Sequence, residues 1–65
     1  MNAGLSITER RVGALVAEGC TDRAIASRLL LSVQTVEWCV AKLCRTLRAE
    51  SRAELAALLG ELSRG

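Results

Sequence analysis

Histidine, proline, phenylalanine and tyrosine are all missing from this 65-residue chain, Trp38 is its one aromatic residue, and cysteine occurs three times. Without an imidazole there is no histidine general base and no histidine metal ligand. Cys20, Cys39 and Cys44 contain no Cys-x-x-Cys pair, so zinc and redox motifs lack their ligand spacing. An odd number of thiols argues against a disulfide framework and reads as small apolar side chains in a reducing cytoplasm. No apolar run approaches the roughly 20 residues that cross a bilayer, and no signal-peptide pattern opens the chain. These absences point to no catalytic residue, no metal, no cofactor and no membrane partner.

What remains favours helix. Hydrophobic residues make up 51% of the chain and charged residues 25%, with leucine, alanine, arginine and glutamate dominant, types that favour helix over strand. At this length the expectation is one small all-α domain spanning 1–65, too small to enclose a deep pocket beside its core. Nine Lys+Arg against seven Asp+Glu give a net charge of +2. That balance permits a nucleic-acid partner, although the usual basic footprint is stronger.

Helix starts are marked clearly. Ser6-Ile7-Thr8-Glu9 and Ser51-Arg52-Ala53-Glu54 both fit the capping box, in which the serine oxygen and the glutamate carboxylate each take an unpaired backbone N–H. Thr21 and Ser32 are further N-cap candidates, Asp22 suits the positive end of a helix dipole, and Gly19 suits a left-handed helix end. The spacing predicts four helices at about 7–18, 22–29, 33–47 and 52–63. In the third, Val33, Val36, Val40, Leu43 and Leu47 form one stripe that also takes in Cys44, with Cys39 on its flank. Val12, Leu15 and Val16, then Ile25, Ala26 and Leu29, supply facing stripes, and Leu55, Leu58, Leu59 and Leu62 a fourth. Gly13 and Gly60 fall inside helices, at a cost of about 1 kcal/mol each relative to alanine.

A short helix, a tight joint through Leu30 and Leu31, and a capped helix from Ser32 or Val33 make the layout of a helix-turn-helix. Such a unit lays its second helix in the DNA major groove. The layout by itself also fits an ordinary helical bundle.

The residues narrow the choice. Leu5-Ser6, Glu9, Val12, Leu15-Val16-Ala17-Glu18-Gly19, Thr21-Asp22-Arg23, Ile25-Ala26, Leu29, Leu31-Ser32, Thr35-Val36-Glu37, Leu43, Leu47 and Ser51-Arg52-Ala53-Glu54-Leu55 resemble the LuxR-type (GerE-like) helix-turn-helix domain over residues 5–57. Region 4 of sigma factors shares the middle stretch, but the Ser51–Leu55 tail favours the LuxR type. The resemblance implies a four-helix bundle that binds double-stranded DNA as a regulator of transcription in the bacterial cytoplasm, on the nucleoid. It also implies that the third helix reads DNA and the fourth commonly provides a dimer contact. The chain departs from the family pattern at Trp38-Cys39, Ala41, Thr46 and Arg48, on or beside the surface expected to meet base edges.

Opposite its apolar stripe the third helix carries Gln34, Thr35, Glu37, Trp38, Ala41, Lys42 and Arg45. Gln34, Trp38 and Lys42 are the candidate base contacts, through adenine, a thymine methyl and guanine edges. Arg23, Thr35, Arg45 and Arg52 are the candidate phosphate contacts. The plainer reading of this face is a solvated helix exterior. Trp38 lies about 200° around the helix from Val36, so it points away from the core, towards DNA, a protein partner or a neighbouring helix. Leu55, Leu58, Leu59 and Leu62 either complete the core or leave a stripe for a symmetric homodimer. The competing expectation is a helical interaction module that docks a protein, such as RNA polymerase, through Trp38.

Overall fold

Each helix begins at a side-chain hydroxyl that accepts a backbone N–H three residues on, and each of the first three ends in a left-handed residue. The computed structural model describes residues 5–64, with side chains to Leu62. Its elements are α1 (Ile7–Ala17), α2 (Asp22–Leu29), α3 (Val33–Leu47) and α4 (Arg52–Arg64), so the fold is all-α with the expected order. The N-cap oxygens of Ser6, Thr21, Ser32 and Ser51 accept from Glu9, Ala24, Thr35 and Glu54, each at 3.1 Å. At Ser6 the box is complete, because Glu9 Oε1 accepts from the Ser6 N–H at 2.8 Å. At Ser51 it is not. There Glu54 accepts instead from the N–H of Glu50 at 2.7 Å, one residue further back.

The helix ends repeat one device. Gly19, Leu30 and Arg48 sit at φ of 90°, 58° and 58°, and the next residue's N–H then reaches a carbonyl five positions back. The bonds run from Cys20 to Leu15 at 3.0 Å, from Leu31 to Ala26 at 2.9 Å and from Ala49 to Cys44 at 2.9 Å. This is the Schellman pattern, which satisfies carbonyls that the helix leaves unpaired. Glycine adopts that conformation freely, whereas Leu30 and Arg48 carry a Cβ that opposes it.

Val12, Leu15 and Val16 of α1, Ile25 and Ala26 of α2, Val36, Cys39 and Leu43 of α3, and Leu55 of α4 form the buried core. Several expectations change here. Cys39, assigned to the flank of α3, is buried because α1 packs on that side of the helix, while Cys44 and Val40 are only half-buried. Val33 at the helix start reaches beyond the core and stays 38% exposed. Of the α4 leucines open to either the core or a dimer contact, Leu55 is wholly enclosed within the fold and so leaves the candidate dimer stripe. Leu58 and Leu59 are half-buried and Leu62 is exposed.

Between α2 and α3 the chain turns by 112°, within the range of a helix-turn-helix. No single described helix is long and apolar enough to cross a membrane. Gly13 is buried, yet a Cβ there would meet Leu59 at 3.5 Å and Leu43 at 3.6 Å, which is ordinary contact, so close helix approach does not require the glycine.

The left-handed ends make a stability prediction. Leu30→Gly and Arg48→Gly each relieve a strained Cβ, and each is expected to raise unfolding free energy by about 1 kcal/mol. Gly19→Ala introduces the same strain and is expected to lower it comparably. Urea unfolding followed by circular dichroism measures all three; a loss of stability in both glycine variants would contradict the account.

Candidate nucleic-acid interface

The outer side of α3 is available because its inner side is committed. Val36 and Leu43 are fully buried and Cys39 nearly so, which aims Gln34, Glu37, Trp38, Ala41, Lys42 and Arg45 outwards; all six are exposed. Trp38 keeps 63% of its surface open to solvent, as its angle from Val36 requires. A shallow cleft runs beside it, lined by Glu9 of α1 and by Thr35, Trp38, Cys39, Ala41, Lys42 and Arg45 of α3. Of the candidate contacts, Thr35, Trp38, Lys42 and Arg45 therefore share one depression, with Gln34 one turn before Trp38 on the same helix.

The polar groups differ in how free they are. Thr35 Oγ1 accepts from Ser32 Oγ at 2.9 Å, so the hydroxyl is tied into the N-cap while its own proton remains to donate. Lys42 Nζ lies 3.0 Å from Glu9 Oε2. Arg45 and Arg23 are exposed and have no ion pair among the described residues. Arg23 occupies the first turn of α2, where the helix dipole and free N–H groups favour an anion.

Arg52 is engaged inside the domain. Its Nη1 pairs with Asp22 Oδ1 and its Nη2 donates to the Cys20 carbonyl at 2.8 Å. This half-buried tie joins the first residue of α4 to the first residue of α2 and to the α1–α2 connection. Its immediate work is to hold the N-terminus of α2, from which Arg23 projects. Arg28 makes a looser contact with Glu18 at 3.9 Å, between two well-exposed side chains, and such a pair contributes little.

Glu9 is the neighbour of this face that the sequence does not reveal, because neither its place in the α1 capping box nor its place in the family pattern points to Lys42. Its carboxylate takes the Ser6 N–H on one oxygen and Lys42 on the other. The Ser6 backbone bond and then Lys42 hold its pKa below the ordinary value of 4.5. Burial, reinforced by the negative charge of Glu9, pushes the Cys39 thiol above its ordinary value, so Cys39 is a poor thiolate rather than a reactive group. Among the described residues no cluster of three His, Cys, Asp or Glu side chains has the arrangement of a metal site. Arg48, one residue past α3, is a further exposed cation without an ion pair among the described residues.

Comparison with known proteins gives one finding. The GerE family model, described as bacterial regulatory proteins of the luxR family, matches residues 3–59. No curated protein and no solved structure matches the chain.

Two outcomes follow from this geometry. Maleimide should modify Cys20 and Cys44 in the native protein well before Cys39, which should react only on unfolding; peptide mass mapping after timed labelling distinguishes them, and equal labelling of Cys39 would refute its burial. Glu9 has a depressed folded-state pKa, so its contribution to stability is complete above the ordinary 4.5 and is lost as pH falls through the lower folded value. The stability gap between wild type and Glu9→Gln, measured by urea unfolding across the acid range, should therefore be constant near neutrality and close below that pH.

Proposed function

Since the chain belongs to the LuxR family of bacterial regulatory proteins, a family of DNA-binding regulators rather than of enzymes, we propose that it binds double-stranded DNA with α3 in the major groove. The observation that carries this reading is the free outer side of α3, with Arg45 unpaired among the described residues and the inner side locked in the core. Gln34, Trp38 and Lys42 are the base readers in this proposal, and Arg23, Thr35 and Arg45 hold phosphates on either side. Arg52 acts behind them. Already bonded to Asp22 and Cys20, it fixes the helix start that presents Arg23.

A homodimer is the natural partner of such a reader, because two copies of α3 about 34–36 Å apart would meet successive major-groove faces. With Leu55 enclosed and Leu59 turned towards Gly13, the pairing surface we propose is Leu58 and Leu62, one turn apart on α4. A second reading has its own observation. Trp38 is highly exposed, flanked by Glu37 and followed one turn later by Ala41, a surface less basic than most DNA readers display. Trp is also a favoured anchor in protein interfaces, so the alternative is a helix-turn-helix module docking a protein through Trp38, RNA polymerase among the candidates, or else a sigma-factor region-4-like domain.

Salt and two substitutions separate them. If Arg23 and Arg45 meet phosphates, the logarithm of the binding constant should fall against the logarithm of salt concentration with a slope of about −2 per monomer. Arg45→Glu should then abolish most duplex binding in fluorescence anisotropy. A partner docked on the indole would instead be weakened more by Trp38→Ala than by Arg45→Glu, with little salt dependence.

A further inference from the structure

Lys42 is a basic residue of the α3 outer face with an acid held against it, and that acid is unusually well fixed. Glu9 Oε1 is anchored by the Ser6 N–H at 2.8 Å, and Glu9 Oε2 meets Lys42 Nζ at 3.0 Å. The Glu9 side chain is 12% exposed, against 46% for Lys42. A solvated ion pair is weak because two flexible side chains must both be ordered. Here one partner is already ordered by its place in a helix cap.

The electrostatic consequence is specific. An ammonium beside a fixed carboxylate presents little net charge to a phosphate, so it releases little of the counterion cloud that drives non-specific binding. It keeps its N–H donors, however. Lysine has three, and Glu9 uses one of them. The others remain for acceptors brought within reach, such as guanine O6 and N7. Arg45 has no such acid beside it among the described residues and retains its full charge.

We propose that Glu9 is a positioning residue for sequence choice: it holds Lys42 at the α1 edge of the recognition face and removes it from the phosphate grip, leaving it to act as a base reader. The inference rests on the DNA-binding reading above and adds to it a residue of α1 that does not itself lie on the recognition helix. It also separates the cations of the α3 outer face into two kinds, Arg45 to grip any duplex and Lys42 to discriminate.

The test compares wild type, Glu9→Gln, Lys42→Gln and the double variant by fluorescence anisotropy, after circular dichroism has established that each is folded at the assay temperature. The probes are a random-sequence duplex pool and a duplex that wild type has selected from it. Glu9→Gln keeps an oxygen for the Ser6 N–H but frees the Lys42 charge. Its affinity for the random pool should rise, with a salt slope steeper by about 0.9. Its advantage over wild type should be about threefold larger at roughly 50 mM than at roughly 200 mM salt. Its preference for the selected duplex should shrink. The double variant should return to the wild-type slope, and Lys42→Gln alone should lose preference without gaining random-pool affinity. An unchanged slope in Glu9→Gln, the same steepening in the double variant, or an unchanged preference in Lys42→Gln each overturns the inference alone. Failure of wild type to bind either duplex overturns the DNA-binding reading and the inference with it.

Discussion

The steep crossing of α2 and α3 is the constraint on which the surface depends. In this turn of 112° within three residues the chain leaves α2 in a left-handed conformation, which Leu30 adopts despite its Cβ. The Leu31 N–H then closes on the Ala26 carbonyl, and Ser32 caps the next helix. With the joint set, Ile25 and Ala26 meet Val36 in the core, and the rotation of α3 about its axis is decided. Residues on its other side have no choice but to face outwards. The strain at Leu30 is thus stored where it orients the helix that we assign to DNA, and local hydrogen bonds sustain it.

Polar ties then sort the charges on that scaffold. Asp22 and the Cys20 carbonyl take Arg52, Glu9 takes Lys42, and Glu18 brushes Arg28. The firmer two link elements far apart in sequence, and in each the carboxylate (Asp22 or Glu9) sits in the first turn of its helix, where it also complements the dipole. Arg23 and Arg45 are left at full charge on the side assigned to the duplex. A low net charge is therefore no measure of the field at this face.

Much of the fold was legible because its rules are local. Ser6, Thr21, Ser32 and Ser51 announce helix starts through an oxygen that needs only the next turn, and all four caps are formed. Two of the three described left-handed helix ends carried no glycine to mark them, and only the capping residue downstream of each bounded the helix. Helical angle placed Trp38 correctly, since an angle near 200° is far from any inner arc. It could not decide between Cys39 and Cys44, which lie near opposite edges of the arc, because that choice depends on where α1 crosses. Nor could it show Glu9 against Lys42 or Asp22 against Arg52, contacts that exist only once the helices pack. The enclosure of Leu55 belongs to the same class: all four α4 leucines look alike in sequence, and only packing separates core from rim.

Trp38 has a consequence of an optical kind. The chain has no tyrosine or phenylalanine, so its near-ultraviolet absorption and its intrinsic emission arise from one indole, and that indole stands on the outer side of α3 with most of its surface in water. The colour and polarisation of the emitted light consequently report on one patch of the molecule, undiluted by any ring in the core. Whatever comes to cover that patch, nucleic acid or protein, alters the surroundings of a built-in fluorophore, so occupancy can be followed on the unlabelled chain.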